Sequence, residues 1–183
     1  ILAARPFGSD ENQYLEDFNW LNHSICPSKI EDDNFRIRVG EGRNAYDVSV
    51  LNISGTSFGS ISPKAIQSFS AGAKKGGFAH NTGEGSLSKH HEKGGGDTIW
   101  QISTGYFGCR NQYGTFDEVQ FAEKAKLKQV KMIEIKLSQG AKPGHGGMLL
   151  GAKVAPEIAE ARNVQPYKDV ISPHKHSEFS TPG

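Results

Sequence analysis

The sequence predicts an α/β protein with a parallel sheet, either doubly wound or of the (β/α)8 TIM-barrel type; if it is a barrel, this chain carries only the first four or five βα units. From residue 48 onward, apolar runs typical of buried strands alternate with helical segments, as in parallel strands joined by right-handed crossovers. Each glycine-rich stretch of this region follows a predicted strand. The 183 residues fall short of the ~250 that a complete barrel typically needs.

The glycine-rich loops predict where a ligand would bind. In parallel sheets and barrels, the loops that follow the carboxyl ends of the strands carry the ligand site. We therefore expect these loops to gather on one rim of the sheet.

The first 47 residues predict a lead segment that precedes the barrel portion at residues 48–183. Apolar residues recur on one face of a helix predicted over residues 12–25, which Pro27 would end. Residues 34–40 then alternate in the manner of a short strand.

The barrel portion predicts strands and helices in alternation. Ser62 fits a helix N-cap with Pro63 in the first turn, and Asp117 fits a second N-cap. The predicted strands lie at residues 48–54, about 78–81, 98–103, 130–138 and, less regularly, 168–174, and the predicted helices at 62–77, 118–128 and 155–162.

Composition excludes several classes of function. The formal net charge is +1, from 21 basic and 20 acidic residues, which does not favour nucleic-acid or membrane-surface binding. No apolar run approaches the ~20 residues of a membrane span. The two cysteines, Cys26 and Cys109, are far apart, so we expect no disulfide framework, no metal site and a cytoplasmic location.

The loop "SGTSFGS" at residues 54–60 has two interpretations. Its backbone amides suit a planar heterocycle or an anion, and a plain βα turn would have the same composition. The dinucleotide fingerprint and the P-loop of nucleoside triphosphatases are both absent.

The histidines and lysines of the loops favour ordinary surface roles. His90 and His91 are adjacent on a predicted loop, where exposure is commoner than metal binding, and the same holds for His174 and His176. The basic run at residues 124–131 is typical of a solvated helix face, because no aromatic residues interrupt it.

Two predicted strands carry polar residues toward their carboxyl ends. Gln101 and Ser103 alternate on one strand and face the same side, and Glu134 and Lys136 share a face of another. A lysine at the end of a buried strand needs a partner, which an anionic cofactor, the polar edge of a flavin or a neighbouring glutamate could provide. Lys142, in the loop beyond, could meet a carboxylate or be a solvated tip.

Several motifs in this order resemble the FMN-binding synthase domain of the glutamate synthase family, and its smaller stand-alone members most of all. They are "SFGSIS", "NTGEGS", "STGYFG", "KLSQGAKPGHGGMLLGAKVAPEIAEAR" and "ISPHKHSEFS", and the similarity runs from about residue 48 to the end of the chain. The resemblance implies a barrel that binds FMN at its mouth. It also implies that ammonia and 2-oxoglutarate form an imine, to which reduced FMN delivers hydride.

The resemblance also implies roles for individual residues. Residues 57–60 would line the flavin with their backbone, Gln101, Ser103 and Lys136 would meet its polar edge, and Glu84 would lie beside it. Gln139, Lys142 and His145 would bind the oxo-acid. The implied cofactor-binding residues are Ser57, Phe58, Gly59, Ser60, Gln101, Ser103 and Lys136, and the implied catalytic residues are Glu84, Gln139 and Lys142.

The chain departs from the family pattern "QGAKPGEGGQLPG" at three positions. His145, Met148 and Leu150 replace Glu, Gln and Pro, which leaves 2-oxoglutarate or a related oxo-acid as the expected substrate. The resemblance implies that the rest of the barrel, the FMN phosphate loops and an iron–sulfur segment lie outside this chain, so we expect this portion alone to bind FMN weakly or not at all and to be inactive. It also implies ammonia from solution or a partner, and a ferredoxin or NADPH-linked electron donor. A non-catalytic flavin- or phosphate-binding barrel is the alternative.

Overall fold

A computed structural model describes residues 25–27, 29, 35–140, 142 and 144–181. The chain divides into two units, residues 1–33 and 34–183, and the account below concerns the second. All but the last residue of the helix predicted over residues 12–25 lie outside the described part of the chain.

The described unit opens with a small antiparallel hairpin. Strand β1 (Arg36–Val39) pairs with β2 (Tyr46–Ser49) around a short 3-10 turn, which confirms the strand predicted at 34–40. The buried strand predicted at 48–54 is wrong, because its first residues belong to β2 and Val50 and Leu51 are 66% and 71% exposed. Pairing across a tight turn costs little loop-closure entropy, so the local hairpin takes residues 46–49.

A three-stranded parallel sheet forms the centre of the unit. Its strands are β3 (His80–Asn81), β4 (Thr98–Ile102) and β5 (Val130–Ile135), in the order β3-β4-β5. Ile53 extends the sheet by a single parallel bridge to His80, where the Ile53 N–H donates to the Ala79 carbonyl at 2.9 Å. The parallel segments therefore follow one another in chain order, as predicted.

Four helices flank these strands. Ser62 caps α1 (Pro63–Gly76) by accepting from the Ala65 N–H at 3.2 Å, and Asp117 caps α3 (Glu118–Ala125) by accepting from the Gln120 N–H at 3.0 Å. The predicted α4 (Pro156–Arg162) is also present, and α3 ends three residues earlier than predicted. The solvated face predicted for residues 124–131 is wrong at Lys124, whose ammonium donates to Ser86 Oγ at 3.2 Å and lies over the Trp100 ring.

A further helix, α2 (Lys89–Gly94), was not predicted, and it buries two histidines that were expected to be exposed. His91 stands at the third helical position and its Nδ1 accepts from the Ser88 N–H at 3.1 Å. The imidazole thus takes the place of the Glu or Gln of a capping box. His176 is buried as well, because its ring nitrogens reach Tyr106 Oη and the Lys136 carbonyl at 3.0 and 2.9 Å.

The strand predicted at 168–174 does not join the parallel sheet. Strand β7 (Val170–Ile171) pairs antiparallel with β6 (Met148–Leu149), and the Ser172 N–H extends this pair by donating to the Gly147 carbonyl at 2.9 Å. The prediction of a fifth parallel strand was therefore wrong, since the chain folds back on the loop after β5. In the described residues, β5 pairs on one side only.

The buried side chains of the described residues form separate core clusters, and β4 contributes to one of them. One cluster joins Phe58 to Ile66 of α1 and Ile158 of α4, and another joins Trp100 and Ile102 to Tyr106 and Cys109. Burial raises the pKa of the Cys109 thiol to about 12. No helix in the described ranges has the length and apolar character needed to cross a bilayer.

Candidate functional site

Four glycine-rich loops meet at the carboxyl ends of the parallel segments. A Cβ on Gly83 would lie 2.7 Å from the Ser57 nitrogen, and one on Gly85 would lie 2.9 Å from the Phe58 carbonyl oxygen. A Cβ on Gly108 would overlap Ser86. The loop at residues 54–60 and the "NTGEG" loop therefore pack backbone against backbone, while Gly108 lies against the Ser86 side chain, which confirms that these loops gather on one rim.

Two amides and a carboxylate form a network across the three strands. Glu134 on β5 accepts from the side-chain amides of Asn81, at 2.9 Å, and of Gln101. Asn81 Oδ1 in turn accepts from the Gly83 N–H at 2.9 Å, which ties the network to the "NTGEG" loop. The carboxylate thus fixes the orientation of both amides.

The backbone of Gly55 packs against this network. A Cβ on Gly55 would lie 3.1 Å from Asn81 Oδ1 and 3.3 Å from Gln101 Nε2. The loop after Ile53 can therefore approach these polar atoms closely only because it carries no side chain there.

Lys136, at the end of β5, pairs with two other residues of the predicted site. Its ammonium donates to Gln139 Oε1 at 3.1 Å and lies 3.7 Å from Glu84 Oε2. Gln139 Nε2 donates to the same Glu84 oxygen at 2.8 Å. Glu84 is therefore the charged partner of the half-buried Lys136.

A cavity of about 130 Å³ lies beside this triad. Arg162, at the end of α4, is its only cation among the described residues, and Glu84 is its only carboxylate. The apolar lining comes from Phe107, Met148 and neighbouring residues. The full lining is Ser57, Ser60, Glu84, Phe107, Gly147, Met148, Leu149, Arg162, Val170 and Ser172.

Arg162 is held in place with few hydrogen bonds. It is 5% exposed, its Nη2 donates to the Phe58 carbonyl at 2.9 Å, and its Nε has no partner in the described part of the chain. Its guanidinium lies 4.9 Å from the centre of the Phe107 ring, and the guanidinium of Arg110 lies 5.6 Å from that ring. Burial lowers the pKa of Arg162, and the Glu84 charge opposes that shift.

The predicted cofactor-binding residues occupy different environments. Phe58 buries its ring in the core, while Ser57 and Gly59 are half-buried and Ser60 is exposed. Ser103 is buried, and its Oγ has no hydrogen-bond partner in the described residues. The structure brings Gln101, Lys136, Gln139 and Glu84 to one rim.

Lys142 and His145 lie apart from the cavity. Both are exposed in a turn in which the Lys142 N–H donates to the Gln139 carbonyl at 3.2 Å and the Lys142 carbonyl accepts from His145. Their assignment to the oxo-acid stays a prediction.

Sequence reasoning missed Arg162. It follows the buried Ile158 by four positions and therefore lies on the apolar face of α4. A cation at such a position indicates a buried guanidinium, and this signal could have identified it.

The described residues hold no group of three or more His, Cys, Asp or Glu side chains that could bind a metal ion. His80 and His91 pack with ring centroids 5.0 Å apart, and neither ring nitrogen of His80 has a partner in the described ranges. Burial lowers the pKa of His80 to about 4, and burial together with the neighbouring histidines lowers that of His91 to about 3.

The fold and site together define a mixed α/β protein with its polar side chains at the carboxyl end of a parallel sheet. The conserved region in glutamate synthase matches residues 25–183 of the chain. The chain belongs to the glutamate synthase family, which makes it part of an oxidoreductase family.

The relatives carry more specific names. The chain is 44% identical over 138 residues to the glutamate synthase large subunit-like protein YerD of Bacillus subtilis, covering 75% of this chain and 26% of that protein. It is 32% identical over 178 residues to an archaeal glutamate synthase [NADPH] of Methanocaldococcus jannaschii, covering 97% and 32%. It is 35% identical over 204 residues to a ferredoxin-dependent glutamate synthase of Cyanidium caldarium, covering 98% and 11%. The chain thus spans a third or less of each of these proteins.

Proposed function

We propose that this chain forms part of an FMN-dependent oxidoreductase that reductively aminates a 2-oxo acid, 2-oxoglutarate or a related one. The observation that supports this most directly is the rim itself. An amide on β4 and an ammonium after β5 lie at one edge of a parallel sheet, beside a cavity with a buried guanidinium. We also propose that the parallel sheet continues as a (β/α)8 barrel in parts of the protein outside this chain.

The donor set fits the polar edge of a flavin. Gln101 and Lys136 offer an amide and an ammonium at the rim, where both residues are half-buried. We assign Gln101, Ser103 and Lys136 to that edge and the backbone of residues 57–60 to the ring face. Positive charge from Lys136 there favours the anionic form of a reduced flavin.

The chemistry proposed for the cofactor is hydride supply to an imine carbon, whose nitrogen takes a proton while FMN is oxidised by two electrons. The imine itself forms from the 2-oxo acid and ammonia with loss of water. The residues of this chain would bind and orient the carboxylate through Arg162 and Gln139, and Lys142 and His145 would approach it from the exposed turn after Gln139. Glu84 would accept a hydrogen bond from the nitrogen.

The electrons must come from another protein or domain. The names of two relatives specify NADPH and ferredoxin as electron donors. We therefore propose a ferredoxin or an NADPH-linked subunit as donor, with any iron–sulfur cluster in a region outside this chain.

Flavin retention tests the proposal. The full-length protein that contains this chain, supplied with FMN and desalted, should keep the absorbance bands of bound flavin, and Lys136→Met should lose most of them because it removes the ammonium. Lys153→Met, at an exposed lysine of the 3-10 turn at Gly151–Lys153, is the matched control and should retain flavin fully. Absence of bound flavin in the unmodified protein would rule out the proposed function.

Turnover is tested separately. Anaerobically reduced protein should be reoxidised when ammonia and a 2-oxo acid are added together, and by neither alone. Retained flavin without such reoxidation would favour a non-catalytic flavin-binding barrel.

A further inference from the structure

We propose that His176 is a positioning residue for Lys136, acting through the backbone of that lysine and not on the cofactor. Its imidazole takes the place of a backbone donor that β4 lacks beyond Ile102, and so holds the end of β5 in place. The inference rests on the proposed function, which assigns the Lys136 ammonium to the polar edge of the flavin.

The end of β5 has one hydrogen bond to the neighbouring strand and one to an imidazole. The Lys136 N–H donates to the Ile102 carbonyl at 2.8 Å, as in a parallel ladder. In such a ladder the carbonyl of the same residue would next accept from the N–H two residues beyond Ile102, that of Thr104. Strand β4 ends at Ile102, however, and the Lys136 carbonyl accepts from His176 Nε2 at 2.9 Å. His176 therefore occupies the next position of the ladder.

The hydrogen-bond partners of the imidazole fix its tautomer. A carbonyl can only accept, so the proton of the neutral ring lies on Nε2 and Nδ1 is the acceptor. The Tyr106 hydroxyl, 3.0 Å from Nδ1, is then the donor to that nitrogen. The same phenolic oxygen accepts from the Ser177 and Glu178 N–H groups at 3.2 and 3.4 Å. The Nε2–H tautomer thus gives every polar atom of the ring and of the phenol a partner.

The ring is also held in one orientation by its neighbours. His176 is 5% exposed, stacks on Phe179 with ring centroids 4.6 Å apart, and meets the Tyr106 ring edge to face at 5.3 Å. The segment that carries it is tied down as well, because Thr104 Oγ1 donates to the Pro173 carbonyl at 2.6 Å. A buried imidazole with both nitrogens paired is a fixed hydrogen-bond donor.

Fixing the backbone of Lys136 on both its N–H and its carbonyl restricts where its side chain can reach. The ammonium lies 3.1 Å from Gln139 Oε1 and 3.7 Å from Glu84 Oε2 at the rim. Rotation of the peptide after Lys136 would redirect its Cα–Cβ bond and move an ammonium at the end of a long, flexible stem. Loss of the imidazole would therefore displace this charge from its position without removing it.

The reduction potential of the bound flavin tests this role in the full-length protein that contains this chain. Because the Lys136 charge favours an anionic reduced flavin, displacing it should weaken binding of reduced FMN more than that of oxidised FMN. His176→Asn has a side chain too short to reach the Lys136 carbonyl. We expect its loss of affinity to be at least tenfold greater for the reduced form, which is a shift of about −30 mV for a two-electron couple. A general loosening of the fold would weaken both forms alike, so an unchanged potential would overturn the inference.

Rescue by a conservative variant provides the matched comparison. In His176→Gln the longer amide can place an N–H near the former Nε2 and donate to the Lys136 carbonyl, so it should restore most of the potential. His174→Gln, at an exposed histidine of the same segment, should leave the potential unchanged. Equal potentials in the Asn and Gln variants of His176 would contradict the assignment.

Nitrogen NMR of the full-length protein labelled with 15N-histidine tests the tautomer without flavin and without a variant. The His176 ring, assigned through its contacts with the rings of Tyr106 and Phe179, should be neutral with its proton on Nε2. A proton on Nδ1 alone, or on both nitrogens at neutral pH, would overturn the inference. Because this measurement uses the unmodified protein, it decides the question even where a His176 variant fails to fold.

The inference and the proposed function fail separately. An Nε2–H tautomer in a protein that retains no flavin would sink the proposed function and leave the anchoring of the Lys136 carbonyl standing. Retained flavin with equal potentials in the unmodified protein and both His176 variants would do the reverse.

Discussion

At the scale of single residues, the rim depends on glycines whose neighbours leave no room for a side chain. Gly108 has φ of +84°, and a Cβ there would overlap Ser86 and lie 2.6 Å from the Lys124 ammonium. A side chain at this position would therefore suffer both backbone strain and steric crowding.

Gly108→Ala should lower the free energy of unfolding by about 2–4 kcal/mol, the sum of left-handed backbone strain and overpacking. Urea unfolding measures the change. Gly72→Ala is the matched control, because a Cβ in this part of α1 meets nothing within 4 Å and should raise stability by about 0.5–1 kcal/mol. A Gly108 variant as stable as the unmodified protein would contradict the close packing of the rim.

The buried histidines predict acid sensitivity. Folding lowers the pKa of His80 to about 4 and of His91 to about 3, whereas an unfolded histidine titrates near ~6.5. As the pH falls below ~6.5, the unfolded chain binds protons first, so stability is complete above that pH and is lost as the pH falls toward the folded values. The free energy of unfolding, measured with urea at each pH, should therefore fall as the pH is lowered from about 7 to about 5. The decrease should be up to ~1.4 kcal/mol per pH unit for each histidine.

Two substitutions separate this effect from the titration of other groups. His91→Gln keeps a side-chain acceptor at the third helical position and should flatten the dependence, while His174→Gln, at an exposed position, should not. A dependence that both variants leave unchanged would show that another group controls it.

At the scale of elements, helix ends position the rim. Ser62 begins α1 with a side-chain hydrogen bond to Ala65, and α1 packs Ile66 against Phe58 of the loop at residues 54–60. Loss of this cap should loosen the element that supports the loop.

Ser62→Ala should cost about 1 kcal/mol of the free energy of unfolding, the usual effect of removing an N-cap. Ser68→Ala, an exposed change in the same helix, should be neutral or slightly stabilising because alanine is the better helix former. Thermal or urea unfolding of both variants makes the comparison, and equal effects would mean that the cap contributes nothing.

The elements also show which local patterns were sufficient for prediction. Ser62 and Asp117 have the residue types of N-caps followed by helical periodicity, so α1 and α3 could be predicted. Helix α2 could not, because it has six residues and uses an imidazole as its capping acceptor. Val170 and Ile171 are equally suited to parallel and antiparallel pairing, so the sequence did not reveal that β7 pairs with β6.

At the scale of the whole molecule, the side of β5 that faces away from β4 is where the next strand of the proposed barrel would pair. The Lys136 N–H donates to the Ile102 carbonyl of β4 at 2.8 Å, so the amides of Ile135 and Ile133, which alternate with it, point away from β4. Ile133 and Ile135 are also partly exposed, as an uncovered barrel strand would be.

Amide hydrogen exchange on the full-length protein that contains this chain tests the continuation of the sheet. If another strand pairs with β5, the Ile133 and Ile135 amides should exchange as slowly as those of β4. Fast exchange at these two amides alone would show that β5 is a true edge and that no barrel continues from it.

The sequence was sufficient to predict the site residues that are positioned by strands, but not the one that is positioned by helix packing. Gln101, Lys136 and Glu84 follow strands of one parallel sheet, so their meeting at the rim follows from topology. The convergence of Arg162 with Glu84 depends on how α4 returns over Phe107, which is a long-range contact that local patterns do not encode.

The backbone construction of the rim has a consequence for changing the specificity of this protein. Where glycine meets backbone, as at Gly83 and Gly85, any side chain disturbs the fold before it can reach a ligand. Variation that alters recognition while preserving the scaffold is therefore confined to the few rim positions that already project side chains, such as Gln139 and Met148. A mutant library restricted to such positions should yield folded proteins with altered selectivity, whereas randomising the glycines should yield mostly insoluble ones.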